Sequence, residues 1–162
     1  MRDLNAKIPG APNFRYREFV YSKTALRHGL NNIPQEEYIW KNIEELAVNV
    51  IQPIRKEFGR IRISSGYRSP IVNVKVGGSS FSNHCIGQAA DIEPIELGVT
   101  LIDIMDFIYD NLEWRWMIAE YFKDGWVHIA YRQKGNIKGI KLKDPNHNFK
   151  IVTMEFIREL YN

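Results

Sequence analysis

Two histidines and one aspartate are spaced so that they could bind a single metal ion. His84 and Asp91 are seven residues apart in the segment SNHCIGQAADI, with a glycine and two alanines between them. These small residues would allow a tight backbone turn beneath an ion if His84 ends a loop and Asp91 lies on the next strand. His128 lies in the apolar segment WVHIAY, whose alternation predicts a strand. On that strand, His128 would face away from Val127 and Ile129.

The types of the three ligands favour zinc as the metal. Zinc binds nitrogen and oxygen ligands at about 2 Å and, with three protein ligands, keeps a fourth position for water. Bound zinc would lower the pKa of that water towards about 7 and polarise a scissile carbonyl. Iron is the alternative, but its two-histidine, one-carboxylate sites are typical of oxygenases, for which the sequence shows no other sign. The single cysteine, Cys85, excludes a Cys-Cys metal pair, and we expect a buried, inert thiol there.

Hydrolysis at such a site needs a general base, and two carboxylates precede His128. Glu120 lies eight residues before this histidine, at the end of WMIAE, and Asp124 lies four residues before it in a predicted turn. If the two apolar segments pair as a hairpin, Glu120 shares a face with His128, whereas Asp124 lies at the tip. Glu120 is therefore the preferred base, and Asp124 is the alternative.

Several helices are predicted to support this site. Apolar residues recur at helical spacing from residue 35 to residue 58 and predict one long helix. Pro53 should kink or split this helix, because proline has no amide hydrogen and its ring crowds the preceding turn. Shorter helices are predicted over residues 23–28, 101–112 and 153–161.

Short apolar segments predict a sheet. Ile61 and Ile63 alternate with polar residues, as in a strand with one buried face. Further strands are predicted over residues 89–95, 116–120 and 126–131, the last two joined as a hairpin. Residues 1–13 are predicted to be an extended arm, and residues 132–162 a basic loop with a closing helix. We therefore expect one α+β domain over residues 1–162, with a small, mostly antiparallel sheet flanked by helices.

The composition limits the classes of partner. The 162 residues are 44% hydrophobic, which fits one soluble domain. Lys and Arg exceed Asp and Glu by only 22 to 19, too small an excess to indicate a nucleic-acid partner. No apolar stretch approaches the roughly 20 residues that span a bilayer, so membrane insertion is not expected. The N-terminus lacks the pattern of an export signal, which predicts a protein made in the cytoplasm.

The segments SNHCIGQAAD and GWVHIAY together resemble the zinc D-Ala-D-Ala carboxypeptidase and L-alanyl-D-glutamate endopeptidase family, which has the hedgehog/DD-peptidase fold. The family pattern is S-x-H-x-x-G-x-A-x-D followed by a W-x-H or W-H strand, and the likeness covers roughly residues 14–131. The resemblance implies one zinc ion bound by His84, Asp91 and His128. Glu120 matches the glutamate upstream of the last histidine. Many members instead place this acid three residues before that histidine, where this chain has Gly125.

The resemblance also implies substrate-binding residues and a substrate. Arg68, in SGYRS, matches an arginine that holds the substrate and the developing oxyanion, and Ser82 matches a serine beside the first ligand. The implied substrate is a peptidoglycan stem peptide, cleaved by carboxypeptidase or endopeptidase activity. A phage lysis enzyme, released onto the cell wall and acting as a monomer, is compatible with this interpretation. The alternative is a non-catalytic, zinc-stabilised module that binds the cell wall or belongs to a phage particle.

Overall fold

A computed structural model describes residues 2–121, 125–143, 146 and 148–161. Its strands are β1 Lys7–Ile8, β2 Ala11–Arg15, β3 Ile61–Ser65, β4 Ala89–Pro94, β5 Trp116–Glu120, β6 Trp126–Ala130, β7 Gly139–Lys143 and β8 Phe149–Ile151. Its α-helices are α1 Tyr16–Val20, α2 Lys23–His28, α3 Glu37–Leu46, α4 Gln52–Phe58, α5 Pro70–Lys75, α6 Leu101–Asn111 and α7 Met154–Tyr161. Within these residues, no helix combines the length and the apolar composition needed to cross a membrane.

The main sheet has six strands in the order β3-β4-β6-β5-β7-β8. The β5 and β7 strands are parallel, whereas the other neighbouring strands are antiparallel. The α+β class is confirmed, but the main sheet is six-stranded and mixed instead of the small, mostly antiparallel sheet that was expected. The difference comes from β7 and β8, which lie in the segment predicted to be a basic loop. In β7, Ile140 and Leu142 face the core, whereas the lysines of the strand face the other side. This alternation is short, and the high charge of the segment makes it hard to recognise in the sequence.

The two faces of this sheet have different roles. One face packs into the hydrophobic core and carries buried residues of the central strands, namely Ile92, Met117, Ala119, Val127 and Ile129. We call the opposite face the site face. Residues that pair across neighbouring strands share a face, so the register places these residues together on the site face: Asp91, His128, Ile118, Glu120, Lys141 and Lys143.

The long predicted helix is divided into three parts. A π-helical turn, Ala47–Ile51, separates α3 from α4, and Pro53 lies in the first turn of α4. The missing amide of proline cannot donate into the preceding turn, so the backbone widens there instead of continuing as a regular α-helix. The predicted break near Pro53 is thus confirmed. The buried side of this helical stretch packs on the core face of the sheet.

The N-terminal segment contains more regular structure than the sequence predicted. Residues 7–15, which include much of the predicted arm, form the two-stranded sheet of β1 and β2. Asn13 at this sheet exchanges hydrogen bonds with Gln52 of α4. At the other end, α7 packs beside α6, with Met154 and Ile157 buried. Both termini therefore pack on the helices that cover the sheet.

Candidate metal centre

Three separate elements bring the predicted ligands together. Asp91 on β4 and His128 on β6 are direct partners across the two strands. His84 lies in a short 3₁₀ helix, Asn83–Ile86, immediately before β4. All three residues are buried, with 2%, 3% and 8% exposure for His84, Asp91 and His128. Each offers one ligand atom within 4.8 Å of the others, so the cluster could hold a metal ion.

The distances within this cluster fit a tetrahedral ion. His84 Nε2 lies 3.1 Å from His128 Nδ1 and 3.2 Å from Asp91 Oδ1, and His128 Nδ1 lies 2.8 Å from Asp91 Oδ1. Ligand atoms about 2 Å from one ion at tetrahedral angles are about 3.3 Å apart. The three edges are therefore close to those of a zinc site, and two nitrogens with one carboxylate oxygen are ligands that zinc accepts.

The Gly66 carbonyl fixes the orientation of the His84 ring. His84 Nδ1 donates to the Gly66 oxygen at 2.6 Å, so in the neutral ring Nε2 presents its lone pair to Asp91 and His128. Burial lowers the pKa of His84 by more than the charge of Asp91 raises it. A neutral His84 with its lone pair directed into the cluster is the form that a cation requires.

Asp91 is held in the ionised form that a ligand needs. Burial would raise the pKa of its carboxyl, but interactions with His84 and His128 outweigh burial and hold the pKa well below its ordinary value. Arg68 Nη2 donates to Asp91 Oδ2 at 2.6 Å, which leaves Oδ1 for the histidines or an ion. The guanidinium thus orients the Asp91 carboxylate, as residues that hydrogen-bond to metal ligands do in other metal sites.

A β-bulge places the support for Arg68. Ile63 pairs with Ile92, but Ser65 pairs with Asp91, so β3 contains one extra residue at this point. Regular alternation would put Ser65 on the core face with Ile63; the bulge turns it to the site face. There the Ser65 hydroxyl accepts a hydrogen bond from Arg68 Nε at 2.8 Å. Among the described residues, the hydrogen bonds of the Arg68 side chain involve Nε and Nη2, and none involves Nη1.

Ser82 supports His84 in this structure. Its hydroxyl accepts from the His84 backbone amide at 3.3 Å and caps the 3₁₀ helix. The role in substrate binding that the resemblance implied for Ser82 stays a prediction. Cys85 is partly exposed rather than buried, and burial raises the pKa of its thiol more than Arg68 lowers it. A raised pKa keeps this thiol protonated and weakly nucleophilic.

Glu120 shares the site face with His128 but is held by a lysine. The β5-β6 hairpin pairs Ile118 with His128 and Glu120 with Trp126, so Glu120 lies two pairs further along and on the same face. Glu120 is 8% exposed, and its Oε2 accepts from Lys143 Nζ at 2.7 Å. The alternative base, Asp124, lies outside the described residues.

The hairpin geometry explains why residue 125 is a glycine, although many members of the family pattern described above have the catalytic acid three residues before the last histidine. A Cβ atom built on Gly125 would lie 1.6 Å from the backbone oxygen of Glu120. A side chain is therefore excluded unless the backbone moves, and an acid cannot occupy this position in the observed hairpin. Glu120 is the described carboxylate of the hairpin that faces the same side as His128.

Two further residues position the site, and neither could be recognised from the sequence alone. Asn32 is buried and donates to the backbone oxygens of Val20 and Tyr67, while its own oxygen accepts from the Ser69 amide. These bonds fix the loop that carries Arg68. Gly66 packs so closely on α1 that a Cβ atom there would lie 2.3 Å from the Phe19 oxygen. A single sequence shows an ordinary asparagine and glycine, because the role of each depends on long-range contacts.

Comparison with known families matches residues 12–130 to the family described as Peptidase M15. A search of curated proteins finds no match. The matched range contains the three candidate ligands, Arg68 and Glu120, and it ends at the last residue of β6. The resemblance noted in the sequence is confirmed by this match, and the chain belongs to the peptidase M15 family.

Proposed function

We propose that the protein is a zinc-dependent peptidase that hydrolyses peptide bonds in peptidoglycan stem peptides. The observation that carries this proposal is the buried cluster of His84, Asp91 and His128, whose ligand atoms lie 2.8–3.2 Å apart. Membership of the peptidase M15 family supports both the peptidase activity and the zinc dependence. Zinc bound by these residues would lower the pKa of a bound water and polarise the scissile carbonyl.

Glu120 is the proposed general base. Its carboxylate faces the same side of the sheet as His128, so it can accept a proton from the attacking water and return it to the leaving amine. Among the described residues, Lys143 binds Oε2 of Glu120, and we assign this transfer to Oε1. Asp124 remains the alternative base.

Arg68 is proposed to stabilise the charge that develops on the scissile carbonyl oxygen. Its Nε and Nη2 atoms are engaged by Ser65 and Asp91, which fixes the plane of the guanidinium beside the ligands. The remaining Nη1 can donate to substrate without losing either contact. Ser82 is proposed to contact the substrate at the edge of the 3₁₀ helix.

The test is hydrolysis of purified peptidoglycan before and after metal removal. The chelated protein should lose activity and regain it with stoichiometric zinc, while a His84→Ala protein purified in parallel reports contaminating hydrolases. Mass spectrometry of the muropeptides then identifies the bond: loss of a terminal D-Ala indicates a carboxypeptidase, and cleavage after L-Ala indicates an endopeptidase. Activity that is indifferent to chelator and zinc contradicts the mechanism. Stoichiometric zinc without cleavage of any peptidoglycan type indicates the non-catalytic wall-binding module instead.

A further inference from the structure

Lys143 links the proposed base to a part of the chain that lies beyond the family match. The match ends at residue 130, whereas Lys143 is the last residue of β7. Because β7 runs parallel to β5 and pairs Lys143 with Glu120, the two side chains leave the same face of the sheet side by side. The distance from Lys143 Nζ to Glu120 Oε2 is 2.7 Å.

This ion pair is sheltered from solvent. The side chains of Lys143 and Glu120 are 18% and 10% exposed. The ammonium lies 5.1 Å from the ring centre of Tyr121 and 5.3 Å from that of Phe149. Burial lowers the pKa of Lys143, but the hydrogen bond and charge of Glu120 and the interaction with Tyr121 outweigh it and raise the pKa. Lys143 is therefore charged at neutral pH, and its attraction to Glu120 is weakly screened in this environment.

A second lysine on the same strand offers a contrast. Lys141 precedes Lys143 by two residues and faces the same side, but it pairs with Ile118 in the register. Its ammonium lies 4.0 Å from the ring centre of Trp116, and no described carboxylate forms an ion pair with it. A general attraction of β7 for anionic substrates would involve both lysines, whereas a role in holding Glu120 belongs to Lys143 alone.

We propose that Lys143 is a positioning residue for Glu120. By binding Oε2, it fixes the carboxylate in one rotamer and leaves Oε1 to accept the proton of the attacking water. The inference rests on the proposed function, because it assigns Lys143 a purpose only if Glu120 is the base. The segment beyond residue 130 then completes the machinery for proton transfer and does more than close the sheet.

The test compares three variants of the full-length zinc protein: Lys143→Met, Lys143→Arg and, as the matched control, Lys141→Met. Lys143→Met should lower kcat by about 10- to 100-fold, because displacing the general base by about 1 Å greatly slows proton transfer from the attacking water. KM and bound zinc should stay within about twofold of the wild-type values, since neither the ligands nor Arg68 is touched. Lys143→Arg should recover most of kcat, and Lys141→Met should retain it.

Two kinetic results would overturn the proposal. One is a Lys143→Met protein with wild-type kcat. The other is a rise in KM, at unchanged kcat, that is equal in Lys143→Met and Lys141→Met, which would mean that β7 only attracts an anionic substrate.

A stability measurement separates this inference from the proposed function. Urea unfolding of Lys143→Met, Glu120→Gln and the double variant forms a double-mutant cycle. The double variant should lose less stability than the sum of the single variants, because each substitution alone leaves a sheltered charge without its partner. Additive losses would overturn the pairing. Wild-type zinc protein that cleaves no peptidoglycan would refute the proposed function, while this cycle would still decide whether Lys143 holds Glu120.

Discussion

His84 is held by a different kind of contact from the one that holds Glu120. In the ligand half of the site face, which contains His84, Asp91 and His128, the backbone fixes His84: the Gly66 carbonyl binds the His84 ring, and the Arg68 amide donates to the His84 carbonyl. Glu120 depends on a side-chain ion pair with Lys143. Backbone contacts persist unless the chain itself moves, whereas one substitution removes an ion pair. Metal binding and proton transfer should therefore be separable by mutation.

Replacing Asp91 in the ligand half should cause the greatest loss, because it should remove the metal. Asp91→Asn removes the anionic member of the three candidate ligands and leaves Arg68 beside a neutral amide. Zinc affinity should fall by more than about a hundredfold, since changes outside the ligand set alone cost 10- to 100-fold. Titration calorimetry of the metal-free protein measures this. Glu93→Gln is the control, because Glu93 lies on the same strand but pairs with Arg62. Wild-type zinc affinity in Asp91→Asn would remove Asp91 from the ligands.

The next effect separates the two halves. Glu120→Gln should keep the zinc affinity of the wild type and lower kcat by about 10²- to 10⁴-fold, the usual contribution of a general base. Steady-state kinetics on a defined stem peptide, with zinc content measured on the same samples, tests this. Glu113→Gln provides the control, because Glu113 also pairs with a lysine, Lys138, but is exposed. An active Glu120→Gln protein would transfer the role to Asp124.

A smaller effect tests the backbone support of the ligand half. Gly66→Ala would place a Cβ atom 2.3 Å from the Phe19 oxygen, so the Gly66 carbonyl that binds His84 must move. Zinc affinity should fall by about 10- to 100-fold, as for other lost outer contacts. Gly77→Ala is the comparison, because it meets no atom within 4 Å but has a φ of +71°. It should lower the melting temperature and leave zinc affinity unchanged. Equal zinc affinity in both variants would contradict the role of Gly66.

The smallest effect is the pH dependence of the metal-free protein. Because burial lowers the pKa of His84 in the folded state, the unfolded chain binds a proton more readily below the ordinary value of 6.5. Stability should therefore be complete above about pH 6.5 and fall as the pH drops towards 5, by at most about 1.4 kcal/mol per unit from this residue. Urea unfolding at a series of pH values measures the slope. A His84→Gln variant should show a shallower slope; an equal slope would contradict the assignment.

The strands that carry Asp91, His128 and Glu120 could be predicted from the sequence, because short apolar segments indicate them. If residues 116–120 and 126–131 pair as a hairpin, Glu120 and His128 are predicted to share a face, and the register agrees with this. The break near Pro53 likewise follows from one missing amide hydrogen. These features depend on neighbouring residues only.

The contacts that orient the ligands could not be predicted, because they join distant segments. The bulge in β3 turns the Ser65 side chain to the site face, where it binds Arg68. No residue pattern in the sequence indicates this bulge. The sequence pattern also does not indicate that β7 pairs with β5 or that the two strands are parallel. The partner of Glu120 was therefore absent from the sequence prediction, although Glu120 itself was present.

The parallel pairing of β5 with β7 also determines where the chain can be shortened. A fragment cut after Ala130, at the end of the family match, would keep all three candidate ligands but lose β7 and β8. The backbone groups of β5 that now bond to β7 would become an unprotected strand edge, beside Trp116 and the uncovered side of Met117. Such edges recruit strands from other molecules and lead to aggregation. The residues after 130 thus cover the edge of β5, and the main sheet extends as far as β8.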